Sequence, residues 1–104
     1  MYTSPIGLYV GGYKVRAGGG SFYIHIPVKL ASQLGYRKVR VVMRVDARSC
    51  PEQDAHGVTL VFPATLTRVG STYRLRIPSK YHHLMEKVSD CAIMDVWLEP
   101  ILKP

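Results

Sequence analysis

The chain is short of acids, of cysteines and of long apolar runs, and each shortage narrows what it can be. Asp and Glu number 7 against 14 Lys and Arg in 104 residues, a net charge of +7. That balance favours polyanionic partners, because attraction raises both encounter rate and non-specific affinity. The two cysteines, Cys50 and Cys91, are far apart and lack both CxxC spacing and histidines at zinc-site spacing. No structural zinc site is therefore expected, and whether the two thiols pair stays open. No apolar run approaches the ~20 residues that span a bilayer. Met1-Tyr2-Thr3-Ser4-Pro5 lacks the basic stretch and apolar core of a secretory leader. The expectation is a soluble, cytoplasmic protein without a membrane partner.

Catalytic patterns are missing too. There is no nucleophile elbow or paired acid and base, and Gly18-Gly19-Gly20 lacks the Lys-Ser/Thr of a phosphate loop. His82-His83 point about 100° apart on a helix and have no third ligand marked, so no metal is assigned. With 47% hydrophobic and 20% charged residues the composition is globular, and a chain this short builds one modest core with little room for a deep pocket. Neither an enzyme nor a cofactor is expected.

What is present is a repeat. Gly19-Gly20-Ser21-Phe22-Tyr23-Ile24-His25-Ile26-Pro27-Val28-Lys29 superposes without a gap on Gly70-Ser71-Thr72-Tyr73-Arg74-Leu75-Arg76-Ile77-Pro78-Ser79-Lys80. The same offset pairs Val15 with Leu66, Val10 with Val61 and Leu34 with Met85. Each copy begins with β-type runs, Leu8 to Val10 and Tyr13 to Arg16 in one, Val58 to Phe62 and Ala64 to Thr67 in the other. A glycine turn follows, then strict alternation, with Phe22, Ile24 and Ile26 opposing Tyr23 and His25, and Tyr73, Leu75 and Ile77 opposing Arg74 and Arg76.

Pro27 and Pro78 suit the first position of a helix. The helices are expected over Val28 to Leu34, with Leu30 and Leu34 inward, and over Ser79 to Val88, with Tyr81, Leu84, Met85 and Val88 inward. Closing strands follow, with Val39, Val41, Met43 and Val45 on one face of the first and Met94, Val96 and Leu98 on one face of the second. Units 8–46 and 58–101 thus form one domain, joined by an exposed loop 47–57. A single unit cannot bury its apolar face, whereas two can.

The strand, glycine hairpin, apolar-x-apolar-Pro, basic residue two positions on, short helix and final strand resemble the AbrB/SpoVT/MazE-type swapped-hairpin DNA-binding domain. The likeness is carried by Gly70 to Tyr81 and, more loosely, by Gly19 to Leu30. Members usually supply one copy per chain and interleave hairpins as dimers. The resemblance implies a mostly β, α+β fold, a swapped-hairpin barrel formed as a pseudo-dimer within one chain. It also implies a transcription regulator whose partner is double-stranded DNA, or alternatively an antitoxin-like protein-interaction module. Antitoxin-like members usually append a long tail, and only Leu102-Lys103-Pro104 follow the last strand here. Pairing of two such chains into a homodimer is a further expectation.

The residues expected to meet DNA are Arg68, Arg74, Arg76 and Lys80 in the second unit and Lys14, Arg16, Tyr23, His25 and Lys29 in the first. Arg and Lys neutralise phosphates, and Arg also reads guanine edges bidentately. The second unit is expected to hold DNA more strongly. Arg40 and Arg44 are assigned differently. If the closing strands are neighbours, the arginines of one and the exposed carboxylates of the other, Asp95 and Glu99, face each other across the ladder, a contribution of about 0.2–1 kcal/mol per pair.

Overall fold

The computed structural model describes residues 7–32 and 38–101. Its elements run β1 (Leu8–Tyr13), β2 (Arg16–Gly18), β3 (Ser21–Pro27), α1 (Val28–Ala31), β4 (Lys38–Asp46), β5 (Thr59–Thr65), β6 (Thr67–Val69) and β7 (Thr72–Ile77). A 3-10 turn, Ser79–Tyr81, then leads into α2 (His82–Val88), and β8 (Ile93–Pro100) closes the order. All pairings are antiparallel. They build one sheet in the order β1-β8-β4-β5 and a second in the order β2-β3-β7-β6. The fold is mostly β with short helices. Among the described residues the ladders form two four-stranded sheets, where a single closed barrel was expected.

Alternation along the strands decides which faces meet. Ile24, Ile26, Leu75 and Ile77 from the second sheet are fully buried, as are Val39, Val41, Met43, Val45, Met94, Val96 and Leu98 from the first. Among the described residues no charged or polar side chain is buried in this core. Both sheets are hybrids. Copy one supplies β1 to β4 and copy two β5 to β8, yet β1 pairs with β8, β5 with β4, and β3 with β7. Repeat equivalents Ile24 and Leu75 are direct partners, flanked by Phe22 opposite Ile77 and Ile26 opposite Tyr73. An approximate twofold axis therefore crosses the second sheet at Ile24 and Leu75.

In the first sheet the symmetric position falls at Val42 opposite Trp97. The hairpin offset would have placed Ile93 there, so the second unit carries four extra residues before its closing strand. The expected charge ladder is present, with Arg40 opposite Glu99 and Arg44 opposite Asp95. Arg40 Nε lies 3.8 Å from Glu99 Oε1. Asp95 instead accepts a 2.8 Å hydrogen bond from the Tyr9 hydroxyl.

The two hairpins reach the same strand twist by different turns. Gly18 opposes Ser21 across Gly19 and Gly20, whose φ angles of 59° and 79° fit a type I′ turn. Val69 opposes Thr72 across Gly70-Ser71, and only Gly70 has positive φ, 63°, as in type II′.

Three expectations need correction. Val10 does not occupy the position of Val61. β1 carries a bulge between Tyr9 and Gly11, so Tyr9 lies opposite Trp97 as Val61 lies opposite Val42. Exposure agrees, with Tyr9 at 51% and Val61 at 44% while Val10 is buried. In α1 the inward residue is Ala31, and Leu30 points outward; Leu34 lies outside the described residues. The α2 stripe holds, with Met85 and Val88 buried and Tyr81 and Leu84 packed against the core.

The connection 47–57 is not simply exposed, since Ala47, Cys50 and Ala55 are buried. Cys50 forms a disulfide with Cys91, just beyond α2, across a separation of 41 residues. Lys87 Nζ reinforces the contact 3.6 Å from Asp54 Oδ2. Cross-linking a loop of that length stabilises by about 4 kcal/mol in the chain-entropy account. Reduction, or the Cys50→Ser variant, is expected to lower the melting midpoint by on the order of 10 °C or more, read by circular dichroism. An unchanged midpoint would mean the cross-link contributes nothing to folding.

Candidate nucleic-acid interface

Alternation places Tyr23 and His25 of β3, and Arg74 and Arg76 of β7, on the side of the second sheet away from the core. Tyr23 lies opposite Arg76 and His25 opposite Arg74. The flanking strands extend both rows, with Arg16 opposite Tyr23 and Thr67 opposite Arg74. One row therefore reads Arg16, Tyr23, Arg76 and the next His25, Arg74, Thr67. None of the seven acids lies on β2, β3, β6 or β7.

The side chains of this face support one another. The Arg74 guanidinium carbon sits 4.7 Å from the centroid of the Tyr23 ring, a cation–π contact. The Tyr23 and His25 rings lie 5.3 Å apart. Gly18 makes room for this packing, because a Cβ there would stand 3.0 Å from the Tyr23 hydroxyl. An alanine would force the ring to shift.

His25 is the chemically adjustable member. Burial first, then the Arg16 and Arg74 charges, lower its pKa below the usual histidine value of 6.5. Its Nδ1 is 3.1 Å from the Thr72 hydroxyl, which itself donates to the Val69 carbonyl at 3.1 Å. That hydroxyl has one proton, so it accepts from Nδ1–H. The neutral ring then carries its lone pair on Nε2.

The other expected contacts lie around this face. Val28 N–H donates to the Ser71 carbonyl at 3.0 Å, which sets the start of α1, and with it Lys29, beside the β6–β7 turn. Lys80 occupies the matching position in the second unit, its Nζ 5.2 Å from the Tyr81 ring centroid. Lys14 is exposed between β1 and β2. Arg68 is exposed on β6, with its Nε donating to the Gly70 carbonyl at 3.0 Å. It shares the side of its strand with Tyr73 rather than with Arg74. The nine residues thus divide into a central cluster of five and a periphery of four.

Thr67 was missed from the sequence, although the repeat offset marks it as the equivalent of Arg16. The two units do not present separate surfaces, either. Arg74 and Arg76 are interleaved with His25 and Tyr23, so both units contribute to a single composite face.

Several other charged groups pair away from this face. Arg48 binds both carboxylate oxygens of Asp46, at 3.0 and 2.7 Å. With its backbone N–H it holds the Asp46 pKa down to about 2. His82 packs edge-on against Phe22, with centroids 5.2 Å apart, and exposed His83 lies 3.8 Å from Glu86. No three potential metal ligands gather among the described residues, and no described helix is long and apolar enough to cross a membrane. No family model, curated protein or solved structure matches the chain.

The electrostatic description is testable without a ligand. NMR titration should place the His25 midpoint below the ordinary histidine range, and Arg74→Ala should move it upward. An unshifted midpoint in the wild type would remove the arginines and burial as influences on this ring.

Proposed function

We propose that the chain binds duplex DNA through the outer face of the second sheet and acts as a transcription regulator. The observation that carries this reading is the segregation of charge. Three arginines and a histidine share a face whose four strands contain no acid. Sheets as well as ribbons present strand residues to the grooves of B-DNA. In this reading the outer face of β3 and β7 is laid against the duplex, while Lys14, Lys29 and Lys80 lie against the flanking phosphates and Arg68, on the other side of β6, stays outside the contact.

Arg74 and Arg76 would neutralise phosphates or read guanine, and Arg16 would extend that line. The neutral His25 Nε2 accepts from an exocyclic amine of adenine or cytosine. Once protonated, the ring donates to phosphate instead. Tyr23 offers a hydroxyl donor and a flat ring for a sugar. The interleaving of β1 with β8 and β5 with β4 supports the swapped-hairpin resemblance, with both copies here in one chain. The approximate twofold axis suits a site with two half-sites, but Arg74 and Arg76 are matched by Tyr23 and His25, so the half-sites would differ. A cytoplasmic location agrees with the disulfide only where the cytosol leaves such bonds intact, as in hyperthermophiles.

Fluorescence anisotropy with labelled duplex tests the reading. Affinity should fall steeply with salt, with a log–log slope of about −3 or steeper for three or more neutralised phosphates. Arg74→Ala and Arg76→Ala should each weaken binding by roughly 5- to 150-fold. Lowering the pH through the His25 midpoint, which lies below the ordinary histidine value, should strengthen binding as the ring gains its proton, and His25→Ala should abolish that gain. A folded protein that ignores duplex at low salt, or prefers single strands, would overturn the proposal.

A further inference from the structure

The outer face of the first sheet differs in kind from that of the second. Tyr9, Trp97, Val42 and Val61 form one row across all four strands, since Tyr9 opposes Trp97, Trp97 opposes Val42 and Val42 opposes Val61. The Tyr9 and Trp97 rings pack at a tilt of 49° with centroids 5.1 Å apart. The ends of the row are exposed, Tyr9 at 51% and Val61 at 44%, and the central Val42 and Trp97 are half-buried. Arg40 and Glu99 bound it on one side, Arg44 and Asp95 on the other, with both arginines on β4 and both acids on β8.

We propose that this face is the contact between two copies of the chain, stacked sheet on sheet about a twofold axis parallel to β4 and β8. The charge pattern argues for the occupant and the orientation together. That axis reverses the strand order of the second copy, so its β8 lies over β4 of the first. Arg40 then meets Glu99 of the second copy, Arg44 meets its Asp95, Val42 meets its Trp97, and Val61 meets its Tyr9. A twofold axis across the strands sets β4 on β4 and brings Arg40 against Arg44 and Glu99 against Asp95. Like charges so placed repel across the contact, so the pattern selects one arrangement and rejects the other.

Aligned sheets pack about 10 Å apart with their strands within about 30°, which keeps these rows in register near the axis. The footprint is small. Four strands about 4.8 Å apart and some seven residues long cover roughly 400–500 Å² per copy, so the dimer forms reversibly with concentration. It leaves both arginine-bearing faces pointing outward on opposite sides. The proposal does not depend on DNA binding, because the two faces share no residue.

The test is mass by light scattering over a concentration series, alongside the emission of Trp97, the single tryptophan. Doubling of mass with a blue shift of Trp97 is expected as concentration rises. Arg40→Glu should weaken association by about tenfold or more, and Arg40→Glu with Glu99→Arg should restore it. Val61→Lys provides a second disruption, with circular dichroism confirming the fold of each variant. Constant monomer mass overturns the proposal. So does a dimer whose Trp97 emission and stability ignore these substitutions, or one that the double reversal fails to rescue. Anisotropy of Arg40→Glu with duplex keeps the outcomes separate, since loss of the dimer should leave the opposite face able to bind.

Discussion

Two central strand pairs, β3 with β7 and β4 with β8, set the conditions for everything else in this molecule. Each joins one repeat unit to the other, so neither unit completes a sheet without its partner. A unit alone would expose Ile24, Ile26, Val39, Val41 and Met43 to water, and burying an apolar side chain of that size is worth about 1.5–3 kcal/mol. The exchange of β1 and β5 between units extends the dependence to the edges. Pro63, which lacks a ladder donor, is tolerated on β5 because that strand has a partner on one side only.

Once the apolar faces are turned together, the outward faces are free to diverge. The second sheet collects Arg16, Arg74 and Arg76 with Tyr23 and His25 and contains no acid. The first alternates arginine with carboxylate around an apolar row. The net charge of +7 is therefore unevenly spread. The acids sit on the first sheet, in the disulfide-pinned connection and around α2, where Asp46 and Asp54 engage Arg48 and Lys87.

Much of this organisation was legible in the residues. Period-two alternation identified the inward sets of β3, β4, β7 and β8, because an alternating strand with one apolar face has one sensible orientation. The matched Gly and Ile-Pro-x-Lys segments revealed the repeat, and the opposed charges of the closing strands anticipated their pairing. Less was legible where geometry depends on tertiary contacts. The bulge beside Gly11 shifts Tyr9 into register with Val61, and nothing in the local pattern counts that extra residue. The disulfide joins segments 41 residues apart, a proximity created only by the packing of α2 against the connection. The composite arginine face was visible as two lists of residues. Their interleaving needed the β3–β7 register.

The most direct test of the central claim is residue-resolved NMR mapping of the chain titrated with duplex DNA at low salt. The account predicts amide shifts concentrated at Arg16, Tyr23, His25, Arg74 and Arg76, with weaker effects at Lys29 and Lys80 and none at Val42 or Val61. Shifts centred on the first sheet, or an unperturbed spectrum with the protein folded, would contradict it.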